Sequence, residues 1–464
     1  MQEKDVVLQG SMKPESKWMK WTVLLLTSIT LVSSYFLMEA MAPLMTVLEQ
    51  QMSWTATEFG ILHWSYSWFI VFLFGLVIGG ILIDKLGLRV TGVMAVVIML
   101  IGAAIKFYAV SSISPGEEAG TILGLRSQVF WMCIGYATFA VGSENICSIC
   151  NAITERWFRG GNLALAMGLS MSFSRLGMTA SIALAPWISS KWSLSTLLVV
   201  AIVLLLVGFV TYLLYIFIDV RHENRGASER GAESSSSEGE FKLSDLKNVV
   251  CNKGWWIAAM ICLTFYSSVL PFLKYSPSMM TDKYGVSVEF SGFIPSLLPF
   301  EVMFLTPLFG ALYDRYGKGS AFLMTGAAII VFVFTCFALP IIQYAWFAVL
   351  LILILGIAYA LVPATLWPLI TKLVPSKQVG SAIAFTFWLQ NIGLGFIPLI
   401  LGWVLSEFCV VKAATVAGEA TQYDWTIPMA VLVVLGSIAF VLAYMLKRVA
   451  VAEGHNIDAP RERQ

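Results

Sequence analysis

The chain has 464 residues, 58% hydrophobic and only 12% charged, with a formal net charge of +1. A soluble protein carries about a quarter charged residues, so the composition argues against a soluble enzyme. The net charge itself says nothing about nucleic acid, and no basic run resembles a binding patch. Apolar runs of about 18 residues or more recur throughout, each long enough to cross a bilayer as a helix. The fold class expected is an all-α polytopic membrane protein.

In chain order, a polar, lysine-bearing tail (1–21) precedes an apolar run that lacks a small-residue cleavage site, so this run is expected to stay as a helix. Spans are expected at about 22–45, 59–83, 90–111, 127–154, 162–188 and 194–219, then at 254–281, 287–313, 319–341, 344–373, 378–404 and 426–447. Between the sixth and seventh lies a hydrophilic stretch, 220–253, with the low-complexity run SERGAESSSSEGE, which has too little apolar surface to build a core. The domain reading is an N-terminal tail, a six-helix bundle over 22–219, a linker, a second bundle over 254–447 and a tail over 448–464.

Sidedness follows from Lys and Arg. The tails, the linker and the loops after helices 2, 4, 8 and 10 carry 22 of the 29, whereas the opposite loops are assigned Arg126, Lys191, Lys274, Lys283 and Lys412. Both termini are therefore expected to be cytoplasmic.

The two halves repeat each other. After helix 2 comes Gly80, Asp84, Lys85, Gly87 and Arg89; after helix 8 comes Gly310, Asp314, Arg315, Gly317 and Lys318. A second echo pairs Arg175-Leu176-Gly177 with Asn391-Ile392-Gly393. The repeated G-x-x-x-D-[RK]-x-G loop, followed by Arg89 in the first copy and Lys318 in the second, resembles the signature of the major facilitator superfamily. That resemblance implies two six-helix bundles, twelve helices and a substrate site near the membrane midplane. The aspartates then belong to a cytoplasmic gate, with the glycines allowing close helix approach.

Glu144 and Arg175 lie in otherwise apolar, small-residue stretches of helices 4 and 5. A charge at that depth is costly unless paired or wetted. One of each sign suits a small solute with a cation and an anion; a structural ion pair between the two is the competing reading. On helix 4, Glu144, Cys147, Ser148, Asn151 and Glu155 share a face, as do Gly168, Ser172, Arg175 and Thr179 on helix 5, and Gly356, Tyr359, Pro363 and Trp367 on helix 10. Tyr35, Tyr66 and Tyr266, with Gln390 and Asn391 on helix 11, are further wall candidates; packing and interhelical hydrogen bonding explain such residues equally well. The Cys147-x-x-Cys150 pair has no second Cys or His cluster, so no metal and no cofactor are expected. No nucleophile–base constellation marks an enzyme.

Longer segments, GSENICSICNAITERWF, SMSFSRLG, VLPFLKYSPSMMTDKYG, LWPLITKLVP and FWLQNIGLG, resemble the major facilitator superfamily domain-containing protein 1 family of lysosomal dipeptide transporters. The resemblance implies uniport of dipeptides, peptide binding at Glu144 and Arg175, and a cavity wall that includes Trp367, Gln390 and Asn391. In animals the family relies on a glycosylated accessory subunit. This chain departs from the pattern: it has no N-x-[ST] sequon, no acidic dileucine near its start, and Glu301 in helix 8, where the family has an aliphatic residue. The expectation is a bacterial inner-membrane relative with no obligate accessory subunit, a lysosomal membrane being the alternative, and Glu301 is a candidate proton carrier. The function expected is alternating-access transport of small zwitterions, dipeptides first. The rivals are an organic-anion or amino-acid-derivative carrier, with or without proton coupling, and a ligand-sensing receptor.

Overall fold

The computed structural model describes residues 17–72, 75–114, 120–158, 162–227, 251–340, 342–375, 378–414, 418–452 and 458. Most of the expected linker, 228–250, lies outside them. Nine helices among the described residues are long and apolar enough to cross a membrane. Two more, α6 (Ser127–Phe158) and α7 (Leu163–Lys191), are as long but carry the polar faces seen in the sequence.

The first expected span ends earlier than its apolar run: α1 covers Lys17–Glu39, and a separate short helix, α2 (Met45–Met52), follows. The second span is interrupted at Tyr66–Ser67, between α3 (Ala56–Ser65) and α4 (Trp68–Phe72); α5 (Gly75–Ser112) begins beyond residues 73–74, which lie outside the described part. Thr55 starts α3 with a capping box: its hydroxyl accepts from the Glu58 N–H, and Glu58 accepts from the Thr55 N–H at 2.8 Å. Helix α5 runs through the repeated loop and is interrupted by Gly87 at φ 76°. The matching Gly317 has φ 65° and ends α10 (Phe293–Tyr316). Both backbones are left-handed, a conformation glycine adopts without steric cost, so the second glycine of each motif is a backbone requirement.

Helix α8 (Leu194–Ala227) completes the N-terminal half. The C-terminal half comprises α9 (Lys253–Tyr284), α10, α11 (Gly319–Ala338), α12 (Ala345–Leu373), α13 (Val379–Phe408) and α14 (Thr426–Ala452). Two short hairpins, Thr121–Ile122 with Leu125–Arg126 and Val410–Lys412 with Gln422–Tyr423, sit opposite the predicted cytoplasmic loops.

Lipid offers helices little hydrophobic reason to associate, so small residues and hydrogen bonds carry the contacts, at about 0.6–2 kcal/mol per bond. Thr30 of α1 donates to the Gly208 carbonyl at 3.0 Å, and Ser181 of α7 donates to the Phe36 carbonyl at 2.7 Å. The halves meet at the outer end. There α3 packs on α13 and α7 on α10. The Thr57 hydroxyl donates to Ser406 at 2.9 Å, Thr46 and Ser278 are 2.8 Å apart, and the Tyr423 hydroxyl donates to Glu49 at 2.7 Å. A Cβ on Gly292 would lie 2.0 Å from the Ile182 carbonyl oxygen, so only glycine permits the α7–α10 approach. At the opposite end Gly80 is exposed, and added Cβ atoms on Gly80 and Gly310 would meet nothing within 4 Å. The first glycine of each motif is therefore not a packing contact in this conformation, contrary to the role read from sequence. The protein is closed outside and open toward the predicted cytoplasmic side.

Candidate functional site

A cavity of about 580 Å³ lies between the halves, within the range of small-molecule sites. It reaches from Glu39, His63 and Lys274 at the outer end to Gly80 and Gly380 at the cytoplasmic end. The expected wall residues Tyr35, Tyr66, Glu144, Arg175, Tyr266, Trp367, Gln390 and Asn391 all line it.

The helical faces read from sequence are met in part. Glu144, Cys147, Ser148 and Asn151 of α6 face the cavity, whereas Glu155 does not. On α7, Met171 and Met178 flank Arg175; Gly168, Ser172 and Thr179 are not on the wall. On α12, Tyr359 and Trp367 line the space, but Gly356 and Pro363 do not.

Glu144 and Arg175 are not paired with each other. The Tyr66 hydroxyl donates to Glu144 Oε1 at 2.8 Å. Arg175 Nη1 donates to the Tyr359 hydroxyl at 3.4 Å, and its guanidinium lies 5.4 Å from the Tyr359 ring centre. Each charge is thus oriented by a tyrosine, and a phenol oxygen leaves most of the hydrogen-bonding capacity of a carboxylate or guanidinium unused.

The remaining wall is ordered by packing. Trp367 donates to the Tyr266 hydroxyl at 3.2 Å and stacks on Phe387 with ring centres 4.4 Å apart. Cys262 donates to the Gln390 side-chain oxygen at 3.4 Å, and Asn391 donates to the Phe387 carbonyl of its own helix at 3.0 Å. Cys147 and Cys150 have different surroundings: the first is 3.7 Å from the Tyr35 hydroxyl, the second donates to the Thr27 carbonyl at 3.8 Å. Among the described residues no cluster of metal-ligating side chains occurs.

Two corrections concern charged residues. Lys274 is not in a loop: it is within α9 and on the cavity wall. The loop assignment followed from treating every cation near a span end as a topology marker. Glu39, at the end of α1, and His63, in α3, also line the cavity, and neither is among the wall residues expected from sequence. Their signal was a titratable residue flanked by apolar neighbours. Lys106, in α5, is fully buried, with its ammonium 5.0 Å from the Tyr136 ring centre and 4.7 Å from that of Phe139. Glu301 is in α10 as expected but not on the cavity wall; its carboxylate lies against Gly356 of α12, and its Oε1 has no hydrogen-bond partner.

The gate motif of the first half is engaged through Arg89, which donates to Asp219 and Glu223 of α8. The Asp84 side chain lies outside the described part of the structure. In the second half, Arg315 packs on the Tyr316 ring at 5.2 Å, and the Lys318 N–H donates to the Asp458 carbonyl at 2.9 Å.

Two pseudo-equivalent helical halves around a midplane cavity closed at one end define an alternating-access transporter. Residues 27–398 match the Major Facilitator Superfamily, and the chain belongs to that family. It is a multi-pass integral membrane protein and not an enzyme. It is 28% identical over 397 residues to the human lysosomal dipeptide transporter MFSD1, covering 83% of this chain and 80% of that one. The Bos taurus protein of the same name is 28% identical over 415 residues, covering 86% and 82%. Among solved structures, the nucleoside transporter NupG superposes with a TM-score of 0.69 at 15% identity, covering 92% of this chain and 99% of that one. A bacterial homologue of the human lysosomal transporter Spinster, solved inward-facing and unoccupied, gives 0.68 at 14% identity, covering 95% and 99%. At those identities the structural neighbours speak for the fold alone.

Proposed function

We propose that this transporter carries small zwitterions, with dipeptides as the principal substrates. The observation that carries the reading is the arrangement of Glu144 and Arg175. Both line one cavity, yet each is held by a tyrosine and not by the other. A pair whose role was to tie α6 to α7 would close on itself; this one is left for a ligand. Arg175 takes the substrate carboxylate, for which a planar two-pronged donor is suited, and Glu144 takes the ammonium. Trp367 with Tyr35, Tyr66 and Tyr266 supplies apolar walls tolerant of side-chain shape, while Gln390 and Asn391 meet the peptide group. The dipeptide transporters among the relatives support the substrate class.

The charge census favours this reading over an anion carrier. Glu39 and Glu144 balance Arg175 and Lys274 on the wall, so a dianion meets two carboxylates as well as two cations. The chain is taken to work without an accessory subunit, which uptake by the purified chain alone in liposomes tests. For the substrate, binding of Ala-Ala is compared with its N-acetylated and C-amidated forms. Loss of affinity on blocking either end is expected. Equal binding of the doubly blocked peptide would reject the zwitterion clamp.

A further inference from the structure

Among the described lining residues, Lys274 of α9 is the one charge contributed by the C-terminal half; Glu39, Glu144 and Arg175 all come from the N-terminal half. A ligand shifts a two-state equilibrium only through different interaction with the two states, so a substrate held by one half alone has little leverage on alternating access. Glu39 has 5% of its surface exposed and sits within electrostatic reach of both Lys274 and Arg175. Among the described residues no ion pair within 4.0 Å involves Glu39, Glu144, Arg175 or Lys274. The four charges therefore stand apart around one space, two acids and two bases, with Glu39 and Lys274 toward its outer end.

We propose that Lys274 and Glu39 form a second charge subsite. In it Lys274 is the C-terminal half's contact to the substrate carboxylate, and Glu39 is the internal anion that the substrate carboxylate replaces as partner of Lys274 and Arg175. This rests on the zwitterion reading above. In the empty cavity Glu39 attracts Lys274 across the two halves and balances the cations. When substrate enters, its carboxylate bridges Arg175 on one half and Lys274 on the other. A ligand lacking the carboxylate leaves Glu39 in place and does not join the halves through Lys274.

The roles predict opposite signs for two substitutions. Lys274→Ala weakens Ala-Ala binding by about 30-fold or more, the lower end for losing one partner of a desolvated charge pair, and leaves Ala-Ala amide unaffected. Glu39→Gln removes the competing anion and tightens Ala-Ala several-fold, whereas Glu144→Gln weakens it. All are read by ligand-induced thermal shift of the purified full-length protein. Equal loss of both ligands in Lys274→Ala would show a structural role. Weaker Ala-Ala binding in Glu39→Gln would make Glu39 an ammonium site and overturn the exchange. If the parent binds Ala-Ala and its amide alike, the zwitterion reading itself fails. The Glu39–Lys274 link is then judged by a ligand-free double-mutant cycle. A Tm loss in Glu39→Gln/Lys274→Gln smaller than the sum of the single losses supports it, and additive losses reject it.

Discussion

Arg89 donates through Nε to Asp219 Oδ2 at 2.6 Å, while its Nη2 meets Glu223 Oε2 at 2.5 Å. The repeated loop after the second span is thereby fastened to the end of α8. Asp219, 2% exposed, also accepts from the Trp157 indole at 3.2 Å and lies 3.6 Å from Arg156. One buried carboxylate thus gathers α5, α6 and α8 at the end that must close when the cavity turns outward.

Substitution of this junction, or of Asp314 in the matching motif of the other half, is expected to act on rate. None of Arg89, Asp219 or Asp314 touches the cavity wall. Arg89→Ala, Asp219→Asn and Asp314→Asn should each lower the maximal transport rate by about tenfold, a barrier change near 1.4 kcal/mol. Substrate affinity in equilibrium binding should change far less. Complete loss of binding in all three would assign these residues to folding and not to the gate.

The tyrosine partners of the two central charges give a second test. Tyr66→Phe removes the hydroxyl that donates to Glu144 and keeps the ring. A net loss of about 1 kcal/mol, or some fivefold in affinity, is expected from one such bond. Arg175→Lys keeps the charge but loses the planar fork, so it should bind zwitterionic peptides much more weakly than the parent. Calorimetry on purified protein reads both. An Arg175→Lys variant with parental affinity would show that charge alone suffices.

Much of this site was legible in the sequence because a carboxylate and a guanidinium inside apolar runs can survive only beside water or a partner. Glu144 and Arg175 were found that way, whereas the gate loop was legible through its repetition in the two halves. What the sequence could not say is where each charge finds its partner. Pairing of Glu144 with Arg175 looked natural from adjacent helices, yet tyrosines on α3's C-terminal edge and on α12 intervene. Lys274 was misplaced because linear position near a span end does not reveal which face of a helix a residue occupies. The interruption of the second span was missed for a related reason: Tyr66 and Ser67, where the chain turns between α3 and α4, fit a continuous membrane helix by composition.

The outer closure carries a pH dependence. Glu49, on α2 outside the spans, is pushed up to about 8, chiefly by burial, with the Asp282 charge adding to the rise and the Tyr423 hydroxyl and Thr421 N–H opposing it. A carboxyl whose closed-state value is raised holds its proton more tightly when the outer end is closed. Closure is therefore favoured in full below the ordinary value of 4.5 and loses that advantage as pH rises through about 8. The parent should lose thermal stability relative to Glu49→Gln across this window, and Glu49→Gln should flatten the profile. Parallel profiles for the two proteins would exclude Glu49 as the titrating group.

Glu301 separates uniport from proton coupling. Its position in α10, against Gly356 and away from the cavity wall, removes it from direct contact with substrate. Its Oε1 lacks a hydrogen-bond partner, so a glutamine of the same shape forfeits no bond at that atom. Glu301→Gln is therefore expected to bind dipeptide as the parent does and to equilibrate it across liposomes at a similar rate, with or without an inward proton gradient. Gly356→Ala supplies the complementary test: its Cβ would sit 1.4 Å from Glu301 Oε1 and force the carboxylate to move. If the carboxylate is a spectator, stability should fall while the dependence on the gradient stays unchanged. Gradient-driven accumulation in the parent that disappears in Glu301→Gln, with equilibration retained, would instead make Glu301 the coupling residue and the protein a symporter.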